Sequence, residues 1–299
     1  MRIMMENGQA QLWRTAAHLC SAWQLVISMN RIKSNRGQAS AVGTMLALVV
    51  VLTLISVVTL YYVPEWMKET EANHMSTVLG EFGDLKKNID SQIINGDKTV
   101  ESSSPFVLGT EGIPVFTFTT QGTLTIDPYT CFFNIQDEDK NLNITSMGII
   151  KFSSSNQHYQ QQSFIYMNGG VIVDQSRGET MKIQPTFTVT NSSGITVTTT
   201  LISICGEKKV LSGSRTETVK TRLVCSQLKE FAWADGKNIT VTIKSSYVDA
   251  WKKSFNSSLN VLNPVDYDIL KNTDNIIVKI YNVKSLSIRF VSIEATTSR

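Results

Sequence analysis

The feature that most constrains this chain is an uninterrupted apolar run, SAVGTMLALVVVLTLISVVTLYY at residues 40–62, with no charged side chain in 23 positions. As an α-helix rising about 1.5 Å per residue, it is about 34 Å long and matches a hydrocarbon core of about 30 Å. Helices buried in soluble proteins seldom run this far without a polar stripe, so the segment reads as a transmembrane helix with the lipid bilayer as its partner. Tyr61, Tyr62 and Trp66 cluster at its C-terminal end, where amphipathic rings favour the headgroup layer. Arg31, Lys33 and Arg36 stand just before the run, whereas Glu65, Lys68, Glu69 and Glu71 follow it. The positive-inside rule then places the N-terminus in the cytoplasm and the long C-terminal part outside. Val63-Pro64-Glu65-Trp66 is no A-x-A-like signal-peptidase site, so the helix is expected to stay attached.

After Pro64 the periodicity changes. Met75, Val78, Phe82, Leu85, Ile89 and Ile93 recur at three- and four-residue steps, opposite Glu81, Asp84, Lys87 and Asn88. That is the apolar stripe of an amphipathic helix, expected to end at Asn95-Gly96-Asp97. Beyond a polar, Ser-rich linker the chain reads as strands and turns. Expected hairpins join residues 115–119 to 123–126, 164–167 to 171–173 through Asn168-Gly169, and 186–190 to 195–204. A further strand is expected at 239–243, and two closing strands at 276–281 and 286–293 with a turn at Asn282-Val283-Lys284. One helix, about 247–256, carries Val248, Trp251 and Phe255 on one side. The expected fold is α+β. A long N-terminal transmembrane and amphipathic helix precedes a mainly antiparallel, β-sandwich-like extracellular domain. Its divisions are a basic leader at 1–37, a transmembrane helix at 38–63, an amphipathic stalk at 64–95, a linker at 96–112 and the β domain at 113–299.

The residues around the start of the apolar run resemble an archaeal class III signal peptide, shared by type IV pilins and archaellins. Arg36-Gly37-Gln38-Ala39-Ser40 looks like the processing site, and Ala41-Val42-Gly43-Thr44-Met45-Leu46 looks like the start of a pilin or archaellin hydrophobic core. The resemblance implies cleavage by a prepilin peptidase between Gly37 and Gln38, after which the apolar helix packs among like subunits. The chain departs from many pilins at Val42, the fifth residue after that junction, where they carry Glu. Residues 63–69, 148–152, 164–170 and 247–255 look like an uncharacterised archaeal pilin-like group. Leaders of this class are short and basic, so translation is expected to start at Met29, giving the nine-residue leader MNRIKSNRG.

Other chemistry is sparse. A formal net charge of +3 with intermingled signs offers no basic face for nucleic acid. The three histidines His18, His74 and His158 have no metal-ligand spacing; His74 reads as solvated on the helix and His158 as part of a polar loop. No G-x-S-x-G, phosphate loop or H-E-x-x-H occurs, and neither enzyme activity nor a metal or cofactor is expected. Asp137-Glu138-Asp139 lacks the alternate spacing of a calcium loop and reads as a solvated turn. Asn143, Asn191, Asn238 and Asn256 each open an N-x-S/T sequon, expected at strand ends or turns as glycan acceptors. A hairpin centred near Leu211 would set Cys205 and Cys225 eight residues out of register, too far to bridge, while Cys131 could join either. The leading expectation is a pilin-like structural subunit. The alternative is a solitary membrane-anchored surface protein whose β domain binds or adheres.

Overall fold

The computed structural model describes residues 38–112, 119–137 and 141–297. One compact unit ends at Val58 and a second runs from Thr59. In the first, helix α1 (Gln38–Val57) carries no charge, and its side chains from Ser40 onward are exposed or half-exposed. Its most apolar 18-residue window has a mean hydropathy of 2.7, and it is long and apolar enough to cross a membrane. The hydroxyls of Thr44, Thr53 and Ser56 donate to carbonyls of their own helix at 2.7–2.9 Å. These polar groups are thereby satisfied without water, as a hydrocarbon setting demands.

A π-turn (Val58–Tyr62) precedes helix α2 (Val63–Asn95), whose first turn holds Pro64. Proline lacks an N–H and crowds the carbonyl four residues back, here that of Leu60 inside the widened turn, so helical geometry continues past it. The helix ends where Gly96, at φ 68°, donates its N–H to Gln92 O at 3.0 Å. Glycine enters this left-handed conformation without a Cβ clash, which makes it a natural helix stop.

The twelve strands among the described residues form one hydrogen-bonded sheet, mostly antiparallel. They are β1 (Glu101–Val107), β2 (Gly122–Gln136), β3 (Asn141–Ser154), β4 (Gln162–Met167), β5 (Gly170–Gln175) and β6 (Gly178–Ile183). There follow β7 (Phe187–Asn191), β8 (Ile195–Cys205), β9 (Lys209–Gly213), β10 (Thr216–Lys244), β11 (Tyr267–Lys271) and β12 (Asn275–Thr297), with helix α3 (Val248–Leu259) between β10 and β11. The main order is β6-β5-β4-β3-β2-β10-β12-β8-β7, with β1 on β10, β11 on β12 and β9 on β2. The pair β8–β12 is parallel. Parallel neighbours need a long crossover, which β9, β10, α3 and β11 supply.

Helices α2 and α3 each anchor a different core. The stripe Met75, Val78, Phe82, Leu85, Ile89 and Ile93 packs with Phe106, Phe152, Phe164, Tyr166 and Ile293, and Val78 through Ile89 are fully buried. Trp251 and Phe255 of α3 pack with Phe133, Ile165, Met167, Phe187 and Val278 in the other. Alternation along a strand sends Phe164 and Tyr166 to the α2 core and Ile165 and Met167 to the α3 core. β4 is therefore buried on both faces, which explains its unbroken apolar run.

Several expectations change. Residues 101–107, expected inside a linker, form β1, because alternate residues Ser104 and Phe106 turn inward while the backbone pairs with β10. The amphipathic helix, given above as a division of its own, lies in the compact unit beginning at Thr59. The two expected closing strands are a single β12: Asn282, at φ 54°, makes a bulge and not a turn. The bulge persists because β10 carries a matching irregularity at Gly236 (φ 74°), where a Cβ would lie 2.0 Å from Asn282 Oδ1. The expected hairpin of 115–119 with 123–126 falls largely on residues 113–118, outside the described residues; 122–126 pairs with β3 on one side and β9 on the other, leaving no edge for it. The hairpin β4–β5 forms as expected, with Asn168 and Gly169 both left-handed at φ 48° and 75°. So does β7–β8.

Truncating Phe82 to Ala empties a site ringed by Phe106 and Phe164. In denaturant unfolding of the detergent-solubilised chain it should cost about 3–5 kcal/mol. A cost within about 0.5 kcal/mol, typical of the surface, would show that α2 is not docked this way.

Candidate functional site: the helical segment α1–α2

At the N-terminal end, Gln38 is the first residue of α1, while Arg36 and Gly37 lie outside the described residues. At the other end of the apolar run, Tyr61 and Tyr62 are exposed, and the Tyr62 and Trp66 rings meet at 6.0 Å. This aromatic pair gives the segment an amphipathic boundary.

α2 carries a second, polar row along one edge of its apolar stripe, with Glu71 on the stripe itself. Glu71 is fully buried, and its two oxygens accept the N–H groups of Gln157, His158 and Tyr159 at 3.0, 2.8 and 2.6 Å. A carboxylate held by three successive backbone donors has exchanged its hydration shell for fixed dipoles, the condition for burying charge. One turn on, His74 Nε2 donates to Val107 O at 2.7 Å. Two turns further, the Glu81 oxygens accept the N–H of the same Val107 at 3.2–3.3 Å. Asn88 donates to Ser104 Oγ at 3.0 Å, and Gln92 to Thr221 O at 2.7 Å. The edge of β1 not paired with β10 is thus met by side chains of the helix. An exposed edge is otherwise a template for unwanted pairing.

These contacts correct three expectations. His74 is buried, not solvated, and burial lowers its pKa more than the Val107 carbonyl and the Glu71 charge raise it. Its Nδ1 has no hydrogen-bond partner, in keeping with a neutral ring. Glu81 lies against β1 instead of facing water. Burial pushes its carboxyl up to about 7, against the opposing effect of the Val107 N–H and with a further rise from Asp84. Asn88 bonds to β1 rather than standing free. Glu71, four residues before Met75, extends the phase of Met75–Val78–Phe82 backwards, and an acid at that phase was the available sequence signal for the polar row.

The remaining residues do not gather at one place. Asn143 lies on β3 opposite Ile135, its side chain outside the described residues. Asn191 is exposed where β7 enters its turn, and Asn238 is exposed beside the bulge, accepting Asn282 N–H at 3.2 Å. Asn256 is exposed on α3, a helix and not the strand end or turn expected. Asp137 lies 3.9 Å from Lys237, and Glu138 and Asp139 are outside the described residues. Among the described residues no cluster of three His, Cys, Asp or Glu is placed to hold a metal ion.

Cys131, Cys205 and Cys225 are free thiols. No hairpin joins the strands of Cys205 and Cys225, because β9 turns away to β2 and β12 lies between β8 and β10. Cys225 pairs in register with Ser292 and Cys205 with Glu294. Two strand spacings of about 4.8 Å, with a two-residue offset along β12, keep the two cysteines more than about 10 Å apart, beyond the roughly 7 Å limit for a bridge.

Comparison with known proteins finds no match: no protein-family model, no curated protein and no solved structure.

Two changes on α2 separate its polar contacts. Glu71→Ala strands three backbone donors and should cost about 3 kcal/mol or more in denaturant unfolding. An effect below about 1 kcal/mol would mean water replaces the carboxylate. Glu81 holds its proton more tightly when folded, so its contribution is fully present below its ordinary pKa of 4.5 and is lost as pH rises through about 7. Glu81→Gln should therefore match the native chain near pH 5 and exceed it in melting temperature near pH 8; equal differences at both pH values would contradict this.

Proposed function

We propose that the chain is a pilin-like structural subunit of an archaeal cell-surface filament, of the minor-pilin type. The observation that carries the reading is an uncharged, exposed helix of membrane length starting at Gln38, directly after the basic junction Arg36-Gly37. While the basic leader is attached, its charges hold the helix in the bilayer as a plain anchor. Cleavage after Gly37 by a prepilin peptidase removes them and frees the helix to leave lipid for the like apolar faces of other subunits. The β-rich unit lies outside the cell, because the basic residues near the apolar run are on its N-terminal side.

The polar row on α2 supports this role mechanically. A subunit held by its N-terminal helix transmits force into its outer domain. In the unit from Thr59, α2 is joined to the sheet and the loop before β4 by its buried apolar stripe and by hydrogen bonds of Glu71, His74, Glu81 and Gln92 to backbone. Val42, standing where many pilins carry an acid, favours the second reading of a solitary anchor displaying an adhesive domain.

Mass spectrometry of the protein from membranes and sheared surface material distinguishes the two. The subunit reading expects an N-terminal peptide starting at Gln38, some of it as pyroglutamate, enriched in the sheared fraction. An intact Arg36-Gly37-Gln38 peptide in the mature protein establishes the solitary anchor. In intact cells with the surface layer permeabilised, added protease should digest the chain beyond Glu101; protection of that region would reverse the topology.

A further inference from the structure

The side of α2 that faces away from its buried stripe is not smooth. A groove of about 360 Å³ runs beside the helix, lined by Gly83, Lys86, Lys87, Asp90 and Ile94 and by Ile183 at the end of β6. Ile94 is 81% exposed, and Asp84 and Lys87 are exposed as well. Gly83 opens the groove: a Cβ there would meet only Ile183 Cδ1, at 3.7 Å, and one at Gly80, a turn earlier, would meet nothing within 4 Å. Alanine fits both positions and suits a helix better, so nothing within one copy calls for the missing side chains.

The start of the same helix presents the converse shape. Tyr62 and Trp66 are 48% and 37% exposed, and their rings, 6.0 Å apart, form an aromatic knob. Glu69, exposed, stands one turn further on. From Tyr62 to Gly80, from Trp66 to Asp84 and from Glu69 to Lys87 the spacing is 18 residues each time. Such a spacing is about five turns, so each pair stands on one side of the helix, about 27 Å apart along its axis.

We infer that this groove takes the Tyr62–Trp66 knob of a second copy of the chain, with the two α2 helices parallel and displaced by about five turns. The displacement sets the aromatic bulk of one copy at the level of Gly80 and Gly83 of the other. It brings the Trp66 indole N–H level with the Asp84 carboxylate, and Glu69 level with Lys87, an opposite charge. Lys68 comes level with Lys86, which Asp90 already neutralises at 2.6 Å. One offset thus matches bulk to space, donor to acceptor and acid to base. The inference rests on the filament reading, in which α1 leaves lipid and the two rings lose the headgroup layer that suits them; the groove supplies new cover. The contact is heterologous, knob to groove, so a bound pair keeps one free knob and one free groove. Repetition then builds an open filament and not a closed dimer.

Zero-length carbodiimide cross-linking of sheared surface material from cells making the native chain tests the register. After digestion, mass spectrometry should find a peptide in which Glu69 is joined to Lys87. Within one copy the two are about 27 Å apart along α2, so the link reports contact between copies. Glu69→Lys and Lys87→Glu should each lower the yield of sheared assemblies several-fold while leaving the melting temperature of the detergent-solubilised chain unchanged. Both changes in one chain should restore the yield. Assemblies that form without the Glu69–Lys87 link, or a double exchange that does not restore them, would overturn the inference and leave the filament reading standing. A chain found only in membranes with its Arg36-Gly37-Gln38 peptide intact would overturn both.

Discussion

The structure depends on how α2 is held. An amphipathic helix gains little from packing if the strand edges it covers keep unpaired backbone groups, since an unsatisfied buried N–H or C=O costs about as much as a hydrogen bond contributes. Here one helix does both jobs. Its apolar row, Met75 to Ile93, fills one core, and its polar row, Glu71 to Gln92, bonds to the backbone of β1, β10 and the loop before β4. The buried charge of Glu71 is tolerable only because three successive N–H groups converge on it, so the 157–159 loop and the helix fix each other.

The two cores follow from that placement. With α2 on one set of inward residues and α3 on the other, the central strands are covered on both sides, and β4 reads as continuous apolar sequence. The long strands β10 and β12 run through both regions, bending at matched irregularities around Gly236 and Asn282. A bulge of this kind increases local twist and redirects alternate side chains. On both sides of this irregularity β12 serves the α3 core, through Ile276, Val278 and Ile280 before it and Leu286 and Ile288 after it, while Val291, Ile293 and Ala295 alternate to the other face and serve the α2 core.

α1 has a different physical status. Its side chains are not taken into a core, and its hydroxyls bond to its own carbonyls. An exposed apolar surface of this size is unfavourable in water, and the proposal above gives it lipid or the apolar helices of other subunits as cover. The proposed processing step changes which of the two covers it.

Sequence alone determined the elements whose signals are local. The uncharged run of α1, the three- and four-residue spacing on α2, the Gly96 stop and the Asn168-Gly169 hairpin all act within a few residues along the chain, and each stands where its signal lies. Tertiary structure decided everything that depends on pairing across long separations. A polar segment such as 101–107 becomes a strand only because β10 is beside it, and Asn282 becomes a bulge, not a turn, only because Gly236 faces it. The same applies to the polar row. Glu71, His74 and Glu81 are ordinary helix residues until backbone from 107 and 157–159 arrives opposite them, and a side chain's burial and protonation follow from those neighbours, which no local spacing specifies.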